Sequence, residues 1–256
     1  MSPWYEESFG LPYLQLYAHR DAEEAAKNAQ RIMELLNPRK DEPFLDLGCG
    51  AGRYLQVFRK LGLTRLVGLD LSEALLKVAA EKLATPEQRE TPQEDIQLVR
   101  ADMRAIPYRN YFAAVASLFT SFGYFGEDEE NAAVFREVYR VLKPGGKFLI
   151  DYLNRYHVLR HLVPCDEDRF CAGYVRNVRY LSQNGRRVEK DTLFVNLEGK
   201  ENVFHESVRA YRPSEIVVML KDAGFVNIHR YGSLAGEEFS PDSPRLVITA
   251  QKEEAR

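Results

Sequence analysis

The sequence is poor in cysteine and has no long run of apolar residues. Its three cysteines, Cys49, Cys165 and Cys171, are too few and too irregularly spaced for a disulfide framework or a zinc knuckle. No stretch approaches the ~18 consecutive apolar residues that a membrane-spanning helix needs. The first residues have neither the basic start nor the apolar stretch of a signal peptide. These features favour a cytoplasmic protein that does not cross a membrane.

The sequence also lacks a strong charge bias. It has 35 lysines and arginines against 38 aspartates and glutamates, a formal net charge of −3. No basic cluster is long enough to follow a phosphate backbone, which disfavours a nucleic acid substrate. With 45% hydrophobic residues among 256, the chain is able to bury the core of one large domain with an insertion.

Short apolar runs alternate with helical stretches over the first 153 residues. The runs expected to form strands are residues 44–47, 66–69, 96–99, 112–118 and 147–153. The expected helices are residues 21–36, 54–61, 72–83 and 128–142. This alternation predicts a doubly wound, mostly parallel α/β sheet covered on both faces. Ligands of such sheets bind at the carboxyl ends of the strands, where the winding reverses.

The pattern changes after residue 153. The β-rich runs 175–180, 192–197 and 203–211 are joined by turn signals and predict an antiparallel insert. A helix over 213–223 and strands at 225–231 and 246–250 follow. We therefore divide the chain into an N-terminal helical cap, a core, an antiparallel insert or lid, and a helix and strands that complete the core sheet. These segments are residues 1–40, 41–153, 154–212 and 213–256.

Three alternate glycines, Gly48, Gly50 and Gly52, follow the first predicted strand. Glycine suits a sharp turn between a strand and a helix because it accepts positive φ and lets a ligand approach the bare backbone. The spacing G-x-G-x-G, with Arg53 at the sixth position, departs from the G-x-G-x-x-G of dinucleotide-binding turns. It therefore argues against a nicotinamide-dependent oxidoreductase.

Two acidic residues accompany this turn. Asp70 ends the next apolar run, 20 residues after Gly50, where it is placed to accept hydrogen bonds from two ribose hydroxyls. Asp46 lies two residues before the first glycine, where it would repel a phosphate and suit an ammonium group. The pattern therefore predicts a nucleoside cofactor that carries a positive charge.

Residues 45–54 resemble motif I of the class I S-adenosylmethionine (SAM) dependent methyltransferases. Segments 67–72, 100–103 and 142–148 resemble further motifs of that family in matching order and spacing. The resemblance covers residues 40–153 and, weakly, the last strands. It implies a seven-stranded Rossmann-like sheet and SAM as the cofactor. The implied cofactor contacts are Asp46, Gly48, Cys49, Gly50, Gly52, Asp70, Leu71, Ala101, Asp102, Met103 and Leu118, with Tyr17 and Arg20 from the preceding segment.

Several of these contacts have an alternative interpretation. The resemblance implies that Asp46 binds the amino acid end of SAM, Asp70 the ribose and Asp102 the adenine amino group. Asp46 could instead tie down the turn, Asp70 could cap a helix, and Asp102 could be a surface acid. Tyr17 and Arg20 either lie over the cofactor or form the packing face of a helix.

Residues 203–211 read as a strand with one apolar and one polar face, and the polar face includes His205, Arg209 and Tyr211. That face is either solvated or turned toward the acceptor. The insert resembles those of small-molecule methyltransferases, including sugar N-methyltransferases, whose antiparallel strands cover the active site. We therefore expect His205 to be an acceptor-side residue and a candidate base, with Arg209 and Tyr211 as candidate acceptor contacts.

The segment 119–125, Phe-Thr-Ser-Phe-Gly-Tyr-Phe, follows the fourth predicted strand and is unusually aromatic for a solvated loop. It either walls the acceptor pocket, with Phe119 and Tyr124 as contacts, or belongs to the core. Methyltransferases of exocyclic base amines often carry Asn/Asp-Pro-Pro-Tyr/Phe here, and this chain does not. No cysteine lies near this position to attack a pyrimidine ring.

The sulfonium methyl of SAM is already activated, so methyl transfer depends mainly on positioning the acceptor and excluding water. We expect transfer to nitrogen or oxygen of a small molecule by in-line displacement. The alternatives are an RNA or protein methyltransferase and a SAM-binding regulatory module without catalysis. His157 and His161, four residues apart, supply at most half of a metal site, so we expect no metal.

Overall fold

The computed structural model describes residues 4–9, 22–84, 96–170, 173–182 and 184–254. The predicted cofactor contacts Tyr17 and Arg20 lie outside these ranges. The described helices are α1 (Trp4–Glu7), α2 (Ala22–Leu36), α3 (Arg53–Lys60), α4 (Glu73–Leu83), α5 (Asp128–Val141), α6 (Arg155–His161) and α7 (Pro213–Asp222). None of them is long and apolar enough to span a membrane.

The described strands form two sheets. In chain order they are β1 (Phe44–Leu47), β2 (Leu66–Asp70), β3 (Gln97–Arg100), β4 (Phe112–Ser117), β5 (Leu142–Leu153), β6 (Cys165–Phe170), β7 (Gly173–Leu181), β8 (Arg187–Asn196), β9 (Glu201–Arg209), β10 (Phe225–Tyr231) and β11 (Arg245–Lys252).

The larger sheet has seven strands in the order β10-β11-β5-β4-β1-β2-β3. Strands β1 to β5 pair in parallel, whereas β11 runs antiparallel to both β5 and β10. The predicted doubly wound α/β sheet is therefore confirmed. Its winding reverses between β1 and β4, so the carboxyl ends of these two strands border the crevice where such sheets bind ligands.

Two apolar clusters hold the sheet between its helices. On one face, Phe135 of α5 and Ile216 of α7 pack against the sheet. On the other face, Ile32 of α2 and Phe58 of α3 do so. Side chains alternate between these faces along each strand, because successive residues of a strand point to opposite sides. In β1, for example, Leu45 joins the first cluster and its neighbour at position 44 the second.

The insert is a separate antiparallel sheet in the order β6-β7-β8-β9. The sequence predicted its three later strands but not β6, whose sequence Cys-Asp-Glu-Asp-Arg-Phe lacks apolar alternation. This edge strand forms through a regular ladder with β7, in which Cys165 pairs with Val178. Helix α6 was also not predicted, and β5 begins at Leu142 rather than at Lys147.

Candidate functional site

A cavity of about 450 Å³ opens at the carboxyl ends of β1, β2 and β4. Ten of the predicted cofactor contacts line it, namely Asp46, Gly48, Cys49, Gly50, Asp70, Leu71, Ala101, Asp102, Met103 and Leu118. The predicted acceptor contacts Phe119 and Tyr124 line it as well. The structure therefore brings the two predicted groups together around one space, which is of the size that small-molecule sites usually have.

The glycine turn has the backbone conformation that its sequence predicts. Gly48 has φ of 80°, in the region that residues with a β-carbon avoid. Gly52, with φ of 74°, is not among the described lining residues. Its missing side chain serves packing instead, because a β-carbon there would lie 3.1 Å from that of Ala79 in α4.

Asp70 is held at the rim of the cavity by the backbone. Its Oδ2 accepts a hydrogen bond from the Gly50 amide at 2.8 Å, and its Oδ1 accepts one from the Ser72 amide at 2.9 Å. Burial raises the pKa of the Asp70 carboxyl. The residue that caps α4 is Ser72, whose Oγ accepts from the Leu75 amide. Asp70 is therefore oriented by the turn and lies beside the cavity.

Asp46 is almost completely buried beneath the glycine turn, with 3% of its surface exposed. Burial raises its pKa to about 7, the charge of Asp70 adds to this effect, and the charge of Arg53 opposes it. Within the described ranges, no donor forms a hydrogen bond with its carboxylate. A buried carboxylate of this kind suits a ligand that brings its own positive charge.

Asp102 lies on the turn after β3 and forms a close pair with Arg104. The guanidinium donates to both carboxylate oxygens, at 2.6 Å from Nη2 and 3.0 Å from Nε. Burial raises the pKa of Asp102, but the hydrogen bonds from Arg104 outweigh that effect and the pKa is lowered. Arg104 also pairs with Glu130 and lies 4.1 Å from the centre of the Phe125 ring. It therefore joins the turn after β3 to Phe125, which also lines the cavity.

Arg53 lines the cavity, although it was not among the contacts predicted from the sequence. Its guanidinium lies 4.6 Å from the centre of the Phe119 ring and 5.1 Å from that of Tyr54. Burial raises the pKa of Tyr54 to about 12, so that its hydroxyl stays protonated. A basic residue directly after the last turn glycine was the available signal for a cation at this place.

Aromatic rings wall the other side of the cavity. Tyr5 and Phe9, from the first described segment, lie against Tyr124 and Phe125. The ring centres of Tyr5 and Phe125 are 5.4 Å apart, and those of Phe9 and Tyr124 are 5.5 Å apart. The Trp4 ring centre is 5.2 Å from that of Tyr124. The sequence predicted the later half of this wall but not the earlier half.

The insert holds this wall in place through Arg187 at the start of β8. Its guanidinium donates to the carbonyls of Gly123, Tyr124 and Phe125 at 3.3, 3.2 and 3.0 Å. It also donates to Ser207 of β9. Burial lowers the pKa of Arg187, since it disfavours the charged form. The insert and the aromatic segment are thereby tied together.

Three predicted residues of the insert lie away from the described lining of the cavity. The His205 ring is 2.7 Å from Asp191 through Nδ1 and 3.4 Å from Glu189 through Nε2. Arg209 and Tyr211 are buried and bind Asp128, at 3.0 and 2.7 Å. The predicted polar face therefore pairs with carboxylates of the neighbouring strand and of α5, and the His205 side chain is 43% exposed. A catalytic His205 and acceptor contacts at Arg209 and Tyr211 stay predictions.

His157 and His161 stack on each other in α6, with ring centres 4.3 Å apart. In the part of the chain that the structure describes, no group of three or more histidine, cysteine, aspartate or glutamate residues is placed to hold a metal ion.

Burial raises the pKa of the Cys49 thiol well above its ordinary value, which leaves it in the unreactive protonated form.

Comparison with known proteins gives consistent results. A methyltransferase-domain family model matches residues 44–146. The chain is 30% identical over 202 residues to the ubiquinone/menaquinone biosynthesis C-methyltransferase UbiE of Klebsiella pneumoniae, and the match covers 77% of this chain and 72% of the relative. It is 33% identical over 150 residues to the dTDP-3-amino-3,4,6-trideoxy-alpha-D-glucopyranose N,N-dimethyltransferase of Streptomyces venezuelae, covering 57% and 58% of the two chains.

The fold is shared with solved structures at low sequence identity. An S-adenosylmethionine-dependent methyltransferase from Clostridium acetobutylicum superposes with a TM-score of 0.78 at 18% identity. The superposition covers 94% of this chain and 95% of the other. The similarity therefore includes the insert as well as the core sheet.

Proposed function

Because this chain is a class I SAM-dependent methyltransferase that uses SAM as its cofactor, we propose that it methylates a nitrogen or an oxygen of a small molecule. An amine nitrogen is the acceptor that the site favours. The observation that carries the proposal is the shape of the cavity, in which the cofactor residues and an aromatic wall face one space of about 450 Å³.

The described residues fit SAM at both ends. The buried Asp46 carboxylate is a partner for the ammonium group, and the Arg53 guanidinium is a partner for the carboxylate. Asp70 is a partner for the ribose hydroxyls and Asp102 for the adenine amino group. Gly48 leaves no room for a side chain at this turn, because a β-carbon there would lie 2.8 Å from Ser121 Cβ. When bound, SAM supplies an activated methyl group on a sulfonium.

The aromatic wall supports a small acceptor. Tyr5, Phe9, Tyr124 and Phe125 supply apolar surface that excludes water beside the cofactor turn. Aromatic faces also stabilise a neighbouring cation, which favours an amine that becomes a methylammonium product. A folded RNA or a protein acceptor would also need contacts outside the cavity, because only its reacting group could enter a space of this size.

The residue types in the described lining support an amine over a hydroxyl. The lining that is described contains no histidine, and its carboxylates are Asp46, Asp70 and Asp102 at the cofactor end. A hydroxyl acceptor usually needs a base, whereas an amine is nucleophilic once it has lost its proton to water. The role of the protein is then to bind the neutral amine, to remove its water and to orient it for in-line attack on the methyl group.

The proposal is tested by incubating the protein with SAM and matched acceptors, and by mass measurement of the products. The probes are the dTDP-3-amino sugar of the Streptomyces venezuelae relative, its 3-hydroxy counterpart and an unmodified transfer RNA. We expect one or two added methyl groups on the amino sugar or on another small amine of a wider panel. Methylation of the RNA alone would overturn the proposed acceptor class. Methylation of a ring carbon of a small molecule in the panel, with none at nitrogen or oxygen, would also overturn it.

A further inference from the structure

The turn after β4 is strained. Phe119 and Thr120 are consecutive residues with φ of 54° and 63°, in the left-handed region. Residues with a β-carbon adopt this region at a cost in free energy, and two in succession persist only where the surroundings hold them. Phe119 lines the cavity, so the strained turn lies at the site itself.

A buried acid on the neighbouring strand holds this turn. Asp151 of β5 is 3% exposed, and its Oδ2 accepts a hydrogen bond from the Phe119 amide at 3.1 Å. Its main-chain carbonyl accepts another from the Thr120 amide at 2.9 Å. Both amides of the strained pair are therefore satisfied by a single residue.

An arginine completes the arrangement from the next strand. Arg245, at the start of β11, donates from Nε to the second oxygen of Asp151 at 2.8 Å. Its Nη2 donates to Thr120 Oγ1 at 2.9 Å. The guanidinium thus bridges the acid and the turn, and the planar geometry of arginine suits such a double contact better than lysine does.

The turn in its strained form touches both halves of the site. The Phe119 ring lies against the Arg53 guanidinium, which is next to the glycine turn. Ser121 packs directly on Gly48, since a β-carbon on that glycine would be 2.8 Å from Ser121 Cβ. If the turn relaxed, Phe119 and Ser121 would move together. The Phe119 ring would then leave its place between the cofactor residues and the acceptor.

We propose that Asp151 and Arg245 are positioning residues for methyl transfer, which hold the strained turn at Phe119 and Thr120 so that the Phe119 ring sets the acceptor beside the cofactor. Neither side chain is among the described lining of the cavity, so both act through the turn. The effect on turnover rests on the proposed function, whereas the effect on the turn does not.

The first experiment measures the turn without any acceptor. Amide hydrogen exchange is read at single residues by NMR in the SAM-saturated protein and in Asp151→Asn and Arg245→Lys. The informative amide is that of Thr120, because its partner is a main-chain carbonyl that neither substitution removes. We expect it to exchange about tenfold faster or more in both variants, while amides 66–70 of β2 are unchanged. Unchanged exchange at Thr120 would overturn the proposal.

The second experiment measures function in the same variants. With SAM and an accepted amine, we expect kcat to fall about tenfold or more, and to fall further than the affinity for SAM does. A merely structural role would lower SAM affinity as much as kcat, which would contradict the proposal. Asp242→Asn is the matched control, because Asp242 pairs with Arg160 on the surface and does not touch the turn. If the wild-type protein methylates no amine, the proposed function fails and the exchange experiment still decides the positioning role.

Discussion

Ser121 lies so close to Gly48 that a β-carbon on the glycine would be 2.8 Å from Ser121 Cβ. This contact joins the glycine turn to the turn after β4. Gly48→Ala therefore meets a clash in addition to an unfavourable φ of 80°. We expect a loss of about 1 kcal/mol or more in the free energy of unfolding and a SAM affinity at least about tenfold weaker. Urea denaturation and calorimetry measure the two effects.

The matched control for that substitution is Gly126→Ala. A β-carbon on Gly126 meets nothing within 4 Å, and its φ is not positive. Both measurements are expected to stay near the wild-type values. Equal losses of stability and of SAM affinity in the two variants would show that neither the contact with Ser121 nor the positive φ of Gly48 accounts for the effect.

The stability of the empty protein depends on pH through Asp46. Its carboxyl has a pKa of about 7 in the folded protein against an ordinary 3.8, so the folded state holds a proton that the unfolded chain has lost between these values. Stability therefore falls as the pH rises through this window. Asp46→Asn removes the penalty and should be more stable than wild type by about 1 kcal/mol or more near pH 8.

That advantage should shrink toward pH 4, where the folded carboxyl is protonated and the pH approaches the ordinary pKa of 3.8 of the unfolded chain. Thermal unfolding without cofactor, followed across this range, measures the gap. A gap that stays constant with pH would contradict the assignment.

Cofactor affinity should depend on pH in the opposite direction. We expect the ammonium group of SAM to pair with the charged form of the Asp46 carboxylate, and the pKa of about 7 leaves that form scarce in acid. We expect SAM to bind more tightly as the pH rises from about 5.5 to 7.5, with release of a proton on binding. Calorimetry in buffers of different ionisation enthalpy measures this proton, and Asp46→Asn should abolish it.

Arg53 should recognise the carboxylate of the cofactor. Arg53→Gln is expected to weaken SAM about tenfold or more, because hydrogen bonds to charged groups are worth ~1.5–3 kcal/mol. Decarboxylated SAM, which lacks only that group, should bind both forms within about twofold. Arg59→Gln on the same helix is the control, since Arg59 is not among the described lining residues. Equal weakening of both ligands would contradict the assignment.

We expect Arg187 of the insert to hold the aromatic wall of the cavity in place. Its substitution by methionine removes the hydrogen bonds of Arg187 to the carbonyls of Gly123, Tyr124 and Phe125 and to Ser207. We expect a loss of about 2 kcal/mol or more in the free energy of unfolding and a higher KM for the acceptor, with SAM affinity unchanged. The exposed neighbour Arg186, which pairs with Asp128, gives the control Arg186→Met, with a loss below about 0.5 kcal/mol. A similar loss in both variants would refute this role.

The inner strands of the core sheet could be predicted from the sequence because they are buried on both faces and read as apolar runs. Predicted strand 44–47 agrees with β1 residue for residue. The strand β6 could not be found in this way, since its charged sequence forms a ladder only through β7. Its formation depends on a partner strand, and hydrophobic periodicity does not report it.

The site was predictable where its residues belong to one turn or follow one strand. The sequence placed Asp46 and Asp70 beside the cavity because glycine spacing and strand ends fix their positions. Tyr5 and Phe9 come from a distant segment, and no local pattern indicates where that segment packs. His205 was assigned by strand alternation, which shows which residues share a face but not what that face meets.

The central claim is that the cavity binds SAM as a charged amino acid nucleoside, and calorimetric titration of the purified protein with SAM tests it most directly. The account predicts one site per chain with a Kd in the micromolar range or tighter, and loss of most of that affinity in Asp70→Ala. No heat of binding with SAM, or equal affinity in the wild-type protein and Asp70→Ala, would contradict it.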